Sequence, residues 1–330
     1  MLYQEVKEYL GSDWIAFQEL FRKSLHSEML LLNRINAYML EHPGKQLRPL
    51  LALLTGRAVS GVCNEKVLRC AVAAELLHSA TLLHDDVADD SPTRRGVATI
   101  MSLYSPTASV LVGDFWLSRG IDLILMKCDN QVISYYSNCL ADLAEGEMLQ
   151  LEKASSLDTT EEDYNTIIFC KTASLFRASM MSTAYSADAS AAQMKAIESY
   201  SFHLGMAFQM MDDIFDYSPR LNTGKPVGVD ILEKKFTLPF FGFLHNAPYE
   251  ISSEFVERLR LLETNSGEEE KQAFSREAIA LVEQYKGLDY AYDRLEQEID
   301  KAVTSLSVLD DSPAREYLVA FARYMSVREH

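Results

Sequence analysis

Two short acidic clusters carry the side chains best placed for chemistry. Residues 84–90 read HDDVADD and set Asp85, Asp86 and Asp89 in a DDxxD pattern. Residues 212–216 read DDIFD and repeat the pattern with Asp212, Asp213 and Asp216. Residues four apart on a helix lie one above the other, so Asp85 with Asp89, and Asp212 with Asp216, form carboxylate pairs on one face. Stacked like charges are unfavourable unless something positive binds between them. Both clusters sit in apolar sequence, ATLLHDD and MAFQMMDDIFDY, rather than in a solvated charged face. Hard oxygen donors, with no Cys and no His at a matching spacing, favour Mg²⁺, which binds through one or two carboxylates together with substrate phosphates. A lone DDxxD reads equally well as an acidic helix end. Two copies in apolar settings do not.

Basic residues gather beside these clusters in an otherwise acidic chain. Thr93, Arg94, Arg95 and Gly96 follow the first; Lys45 and Arg48 sit in PGKQLRP; Lys171 and Thr172 sit in FCKTASLF; Lys225 and Lys235 follow the second. Taken singly, each is an ordinary surface charge. Together with Mg²⁺, fixed cations at these places suit a pyrophosphate group, both for binding it and for letting it leave as an anion.

The elements that must hold these groups are helices. The chain has 330 residues with only 14 Gly and 9 Pro, both below their usual shares of about 7% and 5%. No proline lies between 107 and 218. Apolar residues recur at three to four, as in Phe17, Leu20, Phe21 and in Leu117, Ile121, Leu125. The pattern predicts helices over roughly 14–41, 46–60, 65–90, 106–127, 130–156, 160–185 and 190–218, with shorter ones from 233 onward. Ser218–Val229 is the clearest loop. Alternating runs with tight-turn dipeptides are missing, so a sheet has little support. The expected organisation is one all-α domain over 1–330.

Composition excludes several classes. Lys plus Arg number 31 against 48 Asp plus Glu, a formal charge of −17, which argues against nucleic-acid binding. Cys63, Cys70, Cys128, Cys139 and Cys170 form no CxxC pair and read as reduced residues with apolar neighbours. Neither a signal peptide nor a membrane span is evident. The expectation is a cytoplasmic protein whose contact with membranes is transient.

With these residues in view, the sequence resembles the trans-isoprenyl (polyprenyl) diphosphate synthase family, most of all its long-chain members. The likeness runs through GKQLRP at 44–49, ELLHSATLLHDDVADDSPTRRG at 75–96, SVLVGDF at 109–115 and AEGEMLQL at 144–151. It continues in KTASLF at 171–176, FQMMDDIFDY at 208–217 and GKPVGVDILEKKFTLP at 224–239. The resemblance implies an all-α fold around a central cavity with the two acidic motifs facing each other. It implies three Mg²⁺ ions held by Asp85, Asp89 and Asp212, with Asp86, Asp213 and Asp216 in support. Arg94, Lys171 and Lys225 would hold an allylic diphosphate (farnesyl or geranyl), and Lys45, Arg48, His78 and Arg95 the diphosphate of isopentenyl diphosphate. Thr172, Gln209, Asp230 and Lys235 match polar positions around the allylic site. The catalytic set so implied is Asp85, Asp86, Asp89, Arg94, Lys171, Asp212, Asp213 and Lys225.

The implied reaction is ionisation of the allylic diphosphate, condensation with isopentenyl diphosphate, then elimination, with no protein nucleophile. His84 reads as structural and His78 as a hydrogen-bond donor. The chain departs from the family at Gln46, where a cation is lost, and at Asp90, Ser91 and Pro92 around the first motif. Small residues at Ala80 and Thr81, five and four before Asp85, with Ala71, Ala73 and Ala74 beyond, predict a deep tunnel. The expected product is longer than C20, roughly C30–C50, a quinone side-chain precursor. Alternatives are a shorter C15–C20 synthase, a class I terpene cyclase, or a silent subunit of a heteromer. The second DDxxD and the Lys45/Arg48 pair speak against the cyclase, and the retained site residues against the silent subunit. An apolar helical surface with 13 Met predicts a homodimer.

Overall fold

The computed structural model describes residues 2–94, 96–218, 228–262 and 267–327. The described residues are helical almost throughout. In chain order the helices are α1 (Leu2–Leu10), α2 (Ser12–Ser24), α3 (Leu30–Glu41), α4 (Leu47–Ser60), α5 (Glu65–Ala88), α6 (Ile100–Leu103) and α7 (Pro106–Leu125). There follow α8 (Asn130–Ser156), α9 (Glu161–Ile168), α10 (Ser174–Ser186), α11 (Ala191–Asp216) and α12 (Val229–Leu232). The series ends with α13 (Leu238–Asn246), α14 (Tyr249–Leu261), α15 (Glu268–Gln284), α16 (Gly287–Ser305) and α17 (Pro313–Val327). Two strands of two residues, β1 (Thr93–Arg94) and β2 (Val97–Ala98), pair antiparallel with Thr93 opposite Ala98.

The chain forms two compact units: Met1–Asn138 with Arg177–Glu198 and Leu306–Ala320, and Cys139–Phe176 with Ser199–Ser305 and Phe321–His330. The first is built on α5. Asn64 caps its start by accepting a hydrogen bond from the Val67 N–H at 2.9 Å, and every residue from Ala71 to Leu77 is buried. A helix apolar on all sides belongs inside a core, and α7 lies along it. Ser105 caps α7, and Pro106 sits in its first turn, where a missing N–H costs nothing. Trp116 on α7 is 1% exposed, donates to Asn36 Oδ1 at 2.8 Å and meets the Phe21 ring edge-on. In the second unit, Thr160 and Asp163 form a reciprocal capping box at the start of α9. Phe240, Phe243, Phe255 and Phe274 form an aromatic cluster joining α13, α14 and α15.

Two expected helices are interrupted. The helix expected over 14–41 breaks at a corner between α2 and α3. There Asn33 Nδ2 donates to the Ser27 carbonyl, the Ser27 N–H donates back to Asn33 Oδ1, and Asn36 Nδ2 donates to the Leu25 carbonyl. These side chains offer the backbone an alternative to the helical ladder, and apolar periodicity continues across the break. The helix expected over 160–185 contains a π turn at Phe169–Ala173, closed by the Ser174 N–H donating to the Phe169 carbonyl. Of the expected loop Ser218–Val229, residues 219–227 lie outside the described residues.

Helices α5 and α7 approach so closely that Gly113 has no room for a side chain. A Cβ there would sit 2.3 Å from His84 Nε2 and 3.2 Å from the Ala80 carbonyl oxygen. Gly113→Ala therefore overpacks the core one turn below Asp85. It is expected to cost about 1–3 kcal/mol, read as a lower urea midpoint at unchanged m-value; an unaltered midpoint would show that His84 swings aside freely.

Candidate active site

In the first unit the three motif aspartates have different surroundings. Asp86 is buried and accepts a hydrogen bond from Arg94 Nε at 2.7 Å. Arg94 reaches it from β1, so the β1–β2 hairpin is the device that fixes this arginine. Thr99 ties the hairpin's base by donating to the Ser91 carbonyl at 2.9 Å. Asp85 and Asp89 are exposed; the Asp89 N–H donates to the Asp85 carbonyl at 2.8 Å, so the two carboxylates stand one helical turn apart. Asp89 is the cap residue of α5 rather than part of its body. His84 Nε2 lies 3.3 Å from the Val110 carbonyl and 3.4 Å from Asp114 Oδ1, a structural tie between α5 and α7.

The basic block of this unit lies around the start of α4. Lys45 is exposed, its ammonium 5.6 Å from the Tyr3 ring centre. Arg48 and His78 are half-buried. Gln46, at the place of the lost cation, is buried and accepts a hydrogen bond from Gln18 Nε2 at 2.9 Å, a contact a cation could not make. Ala80 is 1% exposed, and Thr81 is half-buried with its hydroxyl donating to the His78 carbonyl. Arg95 and Lys225 lie outside the described residues.

The second unit encloses a cavity of about 160 Å³ lined by Tyr164, Lys171, Gln209, Asp213, Asp230 and Lys235, among others. A chain of hydrogen bonds runs along its wall. The Thr172 hydroxyl donates to Gln209 Oε1 at 2.6 Å, and Gln209 Nε2 donates to Asp213 Oδ1 at 2.9 Å. The Tyr164 hydroxyl donates to Asp213 Oδ2 at 2.7 Å. Burial pushes the Asp213 carboxyl up to about 7, against the two donors that favour its charged form. Asp216 accepts from the Val229 and Asp230 N–H groups, which docks the start of α12 onto the end of α11. Asp212 is half-buried. Lys171 pairs with Glu147 at 2.5 Å and donates to Gln150 at 3.0 Å.

The π turn is what places Lys171 and Thr172. Gly205 on α11 packs against it, and a Cβ there would sit 2.5 Å from Ala173 Cα. That approach lets Thr172 reach Gln209 across the helix pair. Tyr164 and Lys153, which also line the cavity, belong to no sequence motif, and Lys234, another lining residue, lies in the block at 224–239 without a role of its own there. Tyr164 stands two helical turns before Lys171, and that spacing is the signal that would have found it.

Among the described residues no three Asp, Glu, His or Cys side chains converge. The outward pair Asp85/Asp89 and the half-buried Asp212 offer only carboxylate oxygens. Taken unit by unit, such donors fit Mg²⁺, which takes one or two carboxylates and fills its remaining positions with water and phosphate oxygen.

Burial of Asp213 has a pH signature. Its carboxyl, ordinarily near 3.8, holds its proton to about 7 in the folded chain. The stabilisation from that proton is complete below about pH 4 and is lost as pH rises to about 7. Asp213→Asn is neutral at every pH and lacks this slope. In metal-free buffer its urea midpoint should therefore gain on that of the native chain between these limits; parallel curves would refute the assignment.

Comparison with known proteins agrees with this arrangement. A family model described as polyprenyl synthetase matches residues 30–277. The octaprenyl diphosphate synthase of Haemophilus influenzae is 34% identical over 332 residues, covering 99% of this chain and 97% of that protein. The crystal structure of a decaprenyl diphosphate synthase from Rhodobacter capsulatus superposes with a TM-score of 0.91 at 33% identity, over 99% of both chains. A polyprenyl synthase from Caulobacter crescentus, solved with calcium and isoprenyl diphosphate, gives 0.88 at 31% identity over 99% of this chain and 98% of that one. With its all-α fold and its paired acidic motifs, the chain belongs to the polyprenyl synthetase family, a family of prenyltransferases.

Proposed function

We propose that the protein joins isopentenyl diphosphate head-to-tail (1′–4) to an allylic diphosphate, farnesyl or geranyl, and repeats the step to a trans-polyprenyl diphosphate longer than C20. The observation that carries this reading is the cavity of the second unit, whose wall brings four lysines together with Asp213, the buried, hydrogen-bonded carboxylate of the second acidic motif. The octaprenyl and decaprenyl relatives support the length, and the calcium and isoprenyl diphosphate bound to the Caulobacter protein support a divalent ion beside a diphosphate.

On this reading Lys171 and Lys235, with Arg94 and Lys225, hold the allylic diphosphate by charge-assisted hydrogen bonds. Lys45, Arg48, His78 and Arg95 hold isopentenyl diphosphate. Asp85, Asp89 and Asp212 would hold Mg²⁺, which would supply the charge that stabilises departing pyrophosphate. Thr172, Gln209 and Tyr164 keep Asp213 fixed while charge develops, so the site need not reorganise during ionisation. The double bond of isopentenyl diphosphate attacks the allylic cation, and the departed pyrophosphate removes the final proton. The same proposal treats residues 1–330 as one catalytic domain working in the cytoplasm as a homodimer. Among the described residues no helix is long and apolar enough to cross a membrane. Leu111, Leu125 and Met126, on and just after α7, are 62%, 55% and 71% exposed, a surface suited to a second copy.

Purified protein given Mg²⁺, labelled isopentenyl diphosphate and farnesyl diphosphate should make a ladder of products ending beyond C20. A ladder ending at C20 would remove the long product and keep the condensation; no elongation from any allylic primer would refute both. Asp85→Asn should lower the rate more than roughly 100-fold, since even outer partners of metal ligands are worth about 10–100-fold. Ala80 and Thr81 are proposed to border the growing chain. Thr81→Phe tests this with less overpacking than a change at buried Ala80, and should shorten the ladder; an unchanged ladder would place the tunnel elsewhere.

A further inference from the structure

Helix α12 ends in a way that ordinarily calls for glycine. The Lys235 N–H donates to the Asp230 carbonyl at 2.8 Å and the Lys234 N–H to the Ile231 carbonyl at 3.0 Å. This pair of bonds requires the residue after the cap to adopt the left-handed conformation, where glycine is favoured because a Cβ is crowded. Lys234 occupies that position with φ of 60°. A strained backbone held by a large charged residue invites the question of what the side chain does there.

Lys234 lines the same cavity as Lys153, Lys171 and Lys235. Each of those three is matched by a carboxylate: Lys153 by Asp163 at 3.0 Å, Lys171 by Glu147 at 2.5 Å, and Lys235 by Glu233 at 2.5 Å. None of the described residues forms an ion pair with Lys234. An ammonium kept at a strained position, beside a polar cavity and without a carboxylate of its own, is suited to a multiply charged anion. We infer that Lys234 is an additional diphosphate-binding residue of this chain, adding to its ion-paired neighbours a cation that no described carboxylate pairs with. The inference rests on the proposed reading of the cavity as a diphosphate site.

Lys286 provides an internal control. It follows the cap of α15, has φ of 56°, and is absent from the cavity wall. The two lysines share the backbone strain and differ in that one lines the cavity and the other does not.

The test is titration calorimetry of inorganic pyrophosphate in magnesium buffer, with thermal melts and chain elongation measured on the same preparations. Lys234→Gly should weaken pyrophosphate binding about tenfold while raising the Tm by about 1–3 °C through relief of strain. Lys234→Met removes the charge and keeps the strain, so it should lose the binding without the gain in Tm. Lys286→Gly should gain Tm with binding unchanged. If the native chain binds and elongates while both Lys234 variants bind pyrophosphate within twofold of it, the inference is overturned and the proposed function stands. If the native chain neither binds pyrophosphate nor elongates a primer, both fall.

Discussion

Six carboxylates at the ends of two apolar helices must each be neutralised, hydrogen-bonded or hydrated, and the rest of the site follows from how this is done. A buried charge is expensive without partners. Asp86 is given Arg94, Asp213 is given Tyr164 and Gln209, and Asp216 is given two backbone N–H groups of α12. These solutions also build structure, since they fix the β1–β2 hairpin, the wall of the cavity and the junction between α11 and α12. Asp85 and Asp89 are instead exposed and left to water, which is what the proposed function asks of carboxylates that would share a hydrated divalent ion with a substrate.

The same constraint explains the crowding around the lysines. Each of Lys153, Lys171 and Lys235 is held by an acid. Ion pairs this exposed contribute little to stability, within about 1 kcal/mol. They do restrict where long side chains point, so on the proposed function the ammonium groups would be arrayed before a diphosphate arrives.

The motifs were legible because their chemistry depends on spacing, and spacing survives in a sequence. The i, i+4 carboxylates, the proline-free middle of the chain and the structural role of His84 all reappear in the fold. Arg94 was recognised as important, but its bond to Asp86 depends on a hairpin of two-residue strands, too short for any alternating pattern. The break at 25–29 was hidden because the apolar rhythm of α2 and α3 continues across a corner made by Ser27, Asn33 and Asn36. Ala80 shows a limit of another kind: a small side chain serves a tunnel and close helix packing equally well, and Ala80 is buried where α7 packs against α5 at Gly113. Lys234 was overlooked because its significance lies in a dihedral angle, which one residue type among many can adopt.

The π turn at Phe169–Ala173 makes the chain between α9 and α10 sensitive to length as well as to composition. A π turn contains one residue more than the α-helical turn it replaces. Deleting one residue inside it would let the ladder close as ordinary α-helix, leaving the flanking helices in phase but removing the extra residue that places Lys171 and Thr172. Tyr164, on α9 before the turn, would keep its place against Asp213 while the lysine and threonine lost theirs. Substitutions can be tolerated one at a time in this stretch, whereas an altered residue count would disengage the tyrosine and the lysine from each other in a single step.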